Sequence, residues 1–156
     1  MKKQAGLTLM ELMVAIALIG VLSSMAVPNM IGWRNNMQFS SAVRTVKIAI
    51  EDTRMAAIKS NMPARMIFTD GGDSFDIVKW DFSTNNFASP VTVKLPPGTE
   101  IASSNFNSDT LQFNGSGMLN TSFGLGGTLK IMKENHTSCR AIVLNRFGSS
   151  KIVDCP

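Results

Sequence analysis

Apolar residues fill the chain almost without interruption from Leu7 to Val27, then recur at helical spacing, then alternate in short runs. In the first of these zones 21 residues carry one charge, Glu11. As a helix it would extend roughly 31 Å, which matches a hydrocarbon core. Pro28 closes the run; inside a helix it removes a hydrogen bond and clashes one turn back, so a kink is expected here. Beyond it Phe39, Ala42, Val43, Val46, Ala49, Ile50, Thr53 and Ala57 recur at steps of three and four. Gln38, Arg44, Lys47, Glu51 and Lys59 fall on the other side. This spacing predicts an amphipathic helix with one buried stripe. Asn61-Met62-Pro63 should end it, because the residue before a proline is driven out of the α region. One helix of about 55 residues, Leu7 to Ser60, is therefore expected.

After Pro63 the period shortens to that of strands. "ARMIFT" precedes the turn Asp70-Gly71-Gly72-Asp73, and "FDIVKWDF" should pair back onto it. "VTVKL", "TEIAS", "DTLQFN", "GTLKIMKE", "CRAIVLNRFG" and "KIVDC" follow, separated by proline and glycine signals. A helix followed by antiparallel strands makes an α+β domain in which a sheet covers the helix stripe.

Composition adds few constraints. From Asn29 onward 13 basic residues face 10 acidic ones, scattered without a cluster, so a polyanion partner is not indicated. The chain has no Tyr, which leaves few platforms for stacking bases or sugars. Cys139 and Cys155 both lie near the C-terminus; if this part is exported, they are expected to form one disulfide. The lone histidine, His136, stands three residues before Cys139. A Cys–His dyad there would need a free thiolate, and a zinc site would need ligands beyond His136, Cys139, Cys155 and Asp154. Gly124, Gly126 and Gly127 fit turn chemistry rather than a phosphate loop. No catalytic, metal or cofactor site is expected.

The N-terminus admits three readings. A secretory signal could be cut after Ala26, at Ser24-Met25-Ala26. A plain anchor would leave the lysine-flanked end in the cytoplasm, but leaves Glu11 unexplained, and a charge at such depth costs roughly 2.5–3.5 kcal/mol. If residues 1–6 were removed instead, Leu7 would carry a new ammonium group four residues before Glu11. Pairing with that group on a neighbouring helix would offset desolvation of both charges and fix the register between helices.

The stretch "AGLTLMELMVAIALIGVLSSMAVP" resembles the N-terminal signal of type IV pilins and of the pseudopilins of type II secretion. The resemblance implies cleavage by a prepilin peptidase between Gly6 and Leu7, N-methylation of Leu7, and an assembly role for Glu11. It departs from the family at Leu7, where phenylalanine is usual. It divides the chain into a leader (1–6), a membrane and filament-core segment (7–28) and a periplasmic head (29–156). The helix would cross the inner membrane once, with the N-terminus in the cytoplasm, and other pilin subunits would be the partners. "LQFNGSGML…GTLKI…CRAIVLNRFGSSKIV" is similar to the C-terminal part of the GspH/FimT pseudopilins, as "KSNMPARMIF" is to their exit from the long helix. Some FimT-like members bind DNA through a C-terminal Gly-Arg-x-Arg turn. Here Gly148, Ser149, Ser150 and Lys151 occupy those positions, so both arginines are missing. Arg140, Arg146 and Lys151 remain as candidate DNA contacts, each able to meet a phosphate.

Overall fold

The computed structural model describes residues 8–123, 126–133 and 138–155, with the backbone alone at positions 25, 26, 28 and 29. Helix α1 runs Leu9–Ser60 over 52 residues. The chain divides into two units, one ending at Met37 and the other beginning at Gln38. In the first unit every described side chain is exposed, including Leu9, Leu12, Ile16, Ile19 and Leu22. The backbone stays helical through position 28, so the proline expected to kink the helix does not end it. Among the described residues no helix is long and apolar enough to cross a membrane. The apolar stretch with fully described side chains, from Leu9 to Ser24, covers about 24 Å at the helical rise; Leu7, Met25 and Ala26 of the expected 21-residue run fall outside that description.

The second unit is built on the stripe read from the sequence. All eight stripe residues, Phe39 through Ala57, are buried. Thr53 tolerates full burial because its hydroxyl donates to the Ala49 carbonyl at 2.7 Å. The helix stops at Asn61, whose φ of 53° is left-handed. The Asn61 N–H bonds Ile58 O and the Met62 N–H bonds Ala57 O, both at 3.2 Å. This pair of bonds satisfies carbonyls that the ended helix leaves over.

Ten strands follow. Sheet A has the order β5-β2-β1-β7, from β1 Ala64–Phe68, β2 Ser74–Val78, β5 Val91–Lys94 and β7 Thr110–Phe113. Sheet B has the order β10-β9-β8-β6, from β6 Thr99–Ser104, β8 Gly127–Lys133, β9 Cys139–Leu144 and β10 Ser150–Asp154. All pairings are antiparallel. A small ribbon pairs β3 Trp80–Asp81 with β4 Asn86–Phe87. The sheets meet at a bridge between Gly72 and Ile101, where Gly71 N–H and Ile101 N–H donate to Ile101 O and Gly72 O. Met66, Phe68, Phe75, Leu111 and Phe113 of sheet A close on the helix stripe together with Ile101, Leu129, Ile131, Ile142 and Leu144 of sheet B.

The α+β class and the first hairpin, β1 with β2, agree with the expectation from sequence. Two corrections apply to the rest. The cover is two four-stranded sheets, not one, because β7 pairs back onto β1 while the next strand, β8, joins β6 and β9. "FDIVKWDF" is also not one strand: it breaks at Lys79, whose carbonyl accepts the Ala88 N–H at 2.8 Å, and its end turns away to form the ribbon.

Candidate assembly site

Glu11 lies in the first turn of α1, exposed among Leu9, Met10, Leu12 and Met13. It is not idle within its own chain. The Thr8 N–H donates to Glu11 Oε2 at 3.4 Å, and the Glu11 N–H donates to Thr8 Oγ1 at 3.3 Å. This reciprocal pair is a capping box, which satisfies two orphan donors of the helix start. Its signal, Thr-x-x-Glu, stands in the sequence as "TLME", and a reading centred on the charge passes over it. The N-terminal end of the helix dipole also favours a carboxylate there. Gly6 and Leu7, the expected cleavage and methylation positions, lie outside the described residues, and so does the side chain of Pro28.

At the other end of the chain Cys139 and Cys155 form a disulfide, with Cα atoms 5.5 Å apart. It sits one step beyond the last registered pair of the β9–β10 hairpin, Arg140 opposite Asp154. Those two also bind as an ion pair, Arg140 Nε to Asp154 Oδ1 at 3.4 Å. Among the described residues no group of three or more His, Cys, Asp or Glu could hold a metal; His136 lies outside them.

Sheet register separates the three basic residues considered for DNA. Arg140 shares a face with Ile142 and Leu144, which point into the core, and its guanidinium lies 6.0 Å from the Phe39 ring centre. Lys151 is opposite Val143, on the other face. Arg146 is in the turn after β9, its guanidinium 5.7 Å from the Phe147 ring centre. Arg140 and Lys151 therefore do not converge on one surface.

The glycine turns of the C-terminal half form a pair. In Asn114–Met118 the Asn114 side-chain oxygen accepts from the N–H groups of Ser116 and Met118, and Gly117 N–H bonds Asn114 O. In Asn145–Ser149 the Asn145 side-chain oxygen accepts from Phe147 and Ser149, and Gly148 N–H bonds Asn145 O. Each turn has its glycine at positive φ, 75° and 77°. The Leu119 N–H reaches across to Arg146 O at 3.1 Å. Arg54 of α1 fastens the pair by donating from Nε to Gly117 O at 2.9 Å. The same asparagine-to-glycine spacing explains why both turns bend alike.

Residues 1–27 match the prokaryotic N-terminal methylation motif. The chain is 38% identical over 52 residues to the type II secretion system core protein G of Vibrio cholerae, covering 33% of this chain and 35% of that protein. It is 44% identical over 50 residues to the protein of the same name from Escherichia coli, covering 32% and 34%. The chain thus spans about a third of the length of the curated relatives it matches. In fold it is similar to the type IV minor pilin FimU of Pseudomonas aeruginosa, with a TM-score of 0.56 at 15% identity over 78% of this chain and 90% of that one. It is also similar to the minor pseudopilin EpsH of the type 2 secretion system of Vibrio cholerae, with a TM-score of 0.58 at 10% identity over 75% and 97%. Residues 1–27 thus carry the methylation motif, and the fold is similar to that of pilin-like proteins.

Proposed function

We propose that this chain is a structural subunit, a minor pilin or pseudopilin, that works by assembling into a type IV pilus or a type II secretion pseudopilus. The observation that carries this reading lies in the first unit: from Leu12 to Leu22 the helix is apolar on all sides with every side chain exposed, and one carboxylate stands in its first turn. A helix of that kind must be covered by lipid or by other helices. In this reading prepilin peptidase cuts between Gly6 and Leu7, and Leu7 is N-methylated. Residues 7–28 first anchor the chain in the inner membrane in a single pass, N-terminus in the cytoplasm. The periplasmic head is residues 29–156, pinned by the Cys139–Cys155 disulfide. On assembly the Glu11 carboxylate meets the N-terminal ammonium group of another subunit, and the bend near Pro28 fits the helix to its neighbours. Other pilin-like subunits are the partners, and the role is structural.

The test is the N-terminal residue of the protein taken from its native membrane, by intact mass and terminal sequencing. N-methylated Leu7 is the expected result. A mature protein beginning at Val27 would mean an ordinary signal peptide and would remove the basis for assembly through Glu11.

A further inference from the structure

Sheet A buries side chains on both of its faces. The inner face belongs to the core. On the outer face Gln112, Arg65 and Val78 stand in one cross-strand row, Gln112 opposite Arg65 and Arg65 opposite Val78. Val78 is 3% exposed and Gln112 9%, yet neither belongs to the core cluster. The β3–β4 ribbon accompanies this row. Its Phe87 ring lies against the Arg65 guanidinium, 4.1 Å from the carbon to the ring centre. Trp80 packs edge-on against the same ring, 5.2 Å between centres at 74°. Arg65 and Trp80 thus both touch one phenyl ring.

Two N–H groups of this layer, Arg65 Nε and Trp80 Nε1, are buried and meet no acceptor among the described residues. They cannot satisfy each other, since guanidinium and indole are donors only. Leaving a buried donor unpaired is costly, more so on a charged group, which is why each such donor in a native fold calls for an explanation. The ribbon's own carboxylate does not supply one. Asp81 is engaged by Ser83 and Thr84 at 2.7–3.0 Å, and no ion pair to Arg65 forms among the described residues.

We propose that this layer is an oxyanion-binding site in which Arg65 Nε and Trp80 Nε1 donate to the oxygens of a carboxylate or phosphate group. Phe87 holds the guanidinium plane by cation–π contact, and Gln112 adds an amide on the same row. The assignment stands apart from the assembly reading, because none of these residues belongs to the N-terminal helix segment.

The experiment uses the full-length, 15N-labelled protein in detergent micelles. Side-chain resonances of Trp80 Nε1–H and Arg65 Nε–H are followed while sodium acetate or inorganic phosphate is added, with sodium chloride at matched ionic strength as reference. The site predicts saturable shifts of both resonances with acetate or phosphate and none with chloride. A stronger response to acetate identifies a planar carboxylate as the natural ligand, a stronger one to phosphate a tetrahedral anion. Trp80→Phe, read at Arg65 Nε–H, should weaken the apparent affinity about ten-fold or more, and so should Arg65→Lys read at the Trp80 indole. Shifts that do not saturate, that chloride reproduces, or that persist at equal affinity in Trp80→Phe would overturn the proposal and assign the two donors to buried water.

Discussion

Thr8 and Glu11 exchange hydrogen bonds across the first turn of α1, each side chain accepting from the other's backbone N–H. The carboxylate proposed to hold a neighbouring subunit therefore already has a task in its own helix. One oxygen, Oε2, accepts the local bond, which leaves Oε1 to accept from a second partner.

The two tasks can be separated by chemistry. Glu11→Gln keeps an oxygen for the capping box and removes the charge, whereas Thr8→Ala keeps the charge and loses the cap, at a cost of about 1 kcal/mol to the helix start. Processing is expected to continue in both. Glu11→Gln should remain in the membrane fraction and fail to enter sheared filaments, while Thr8→Ala should still enter them. Quantitative immunoblots of the two fractions read the outcome; normal entry of Glu11→Gln would dismiss the charge pair.

The disulfide makes a separate prediction. The loop between Cys139 and Cys155 has about 15 residues, and opening it should lower stability by about 3 kcal/mol. Urea unfolding of the Cys139→Ser/Cys155→Ser double variant should show a lower midpoint with little change in slope. An unchanged midpoint would mean that the β9–β10 pairing alone sets the stability of this end.

Glycines at the same φ should differ in cost. Gly98 and Gly148 both have φ of 77°. A Cβ on Gly98 meets open space, whereas one on Gly148 would lie 2.6 Å from Gly117 O and 2.7 Å from Arg54 Nε. Gly98→Ala should cost about 1 kcal/mol of backbone strain alone. Gly148→Ala should cost clearly more, because the paired turns and the Arg54 bond must shift as well. Thermal melts of the two variants measure the difference, and equal losses would mean that the turns separate freely.

Asp81 offers a pH handle on the ribbon. Hydrogen bonds from Ser83, then from Thr84, hold its carboxyl below the ordinary aspartate value. A group depressed on folding adds stability above its unfolded pKa, and that contribution fades as pH falls through the folded value. The ribbon should thus keep its turn at neutral pH and loosen only in acid, below the usual aspartate range. The Trp80 indole resonance should follow this acid titration, and Asp81→Asn should abolish it.

Much of this architecture was legible along the chain because it rests on local periodicity. The eight stripe residues from Phe39 to Ala57 repeat at helical spacing, and each is buried. The first hairpin was readable from Asp70-Gly71-Gly72-Asp73 between two apolar runs. What stayed hidden depends on contacts distant in sequence. Nothing local tells β7 to pair with β1 and not with β8, which is the choice that makes two sheets. Asn86-Phe87 is too short to register as a strand, so Trp80 reads as the end of β2 when it belongs to a separate ribbon. The outer-face row of Gln112, Arg65 and Val78 exists only once β7, β1 and β2 stand side by side. At the N-terminus the cap is local and stands in the sequence as "TLME", Thr8 to Glu11.

Among the described residues β10 is an edge strand of sheet B, the kind of segment that copies of a protein can trade with one another. Here both of its ends are held: the Asn145–Ser149 turn closes one, and the bond between Cys139 and Cys155 closes the other. Strand exchange between copies would have to break a covalent bond first. Crowded together, copies of the second unit keep their own C-terminal strands as long as the surroundings stay oxidising.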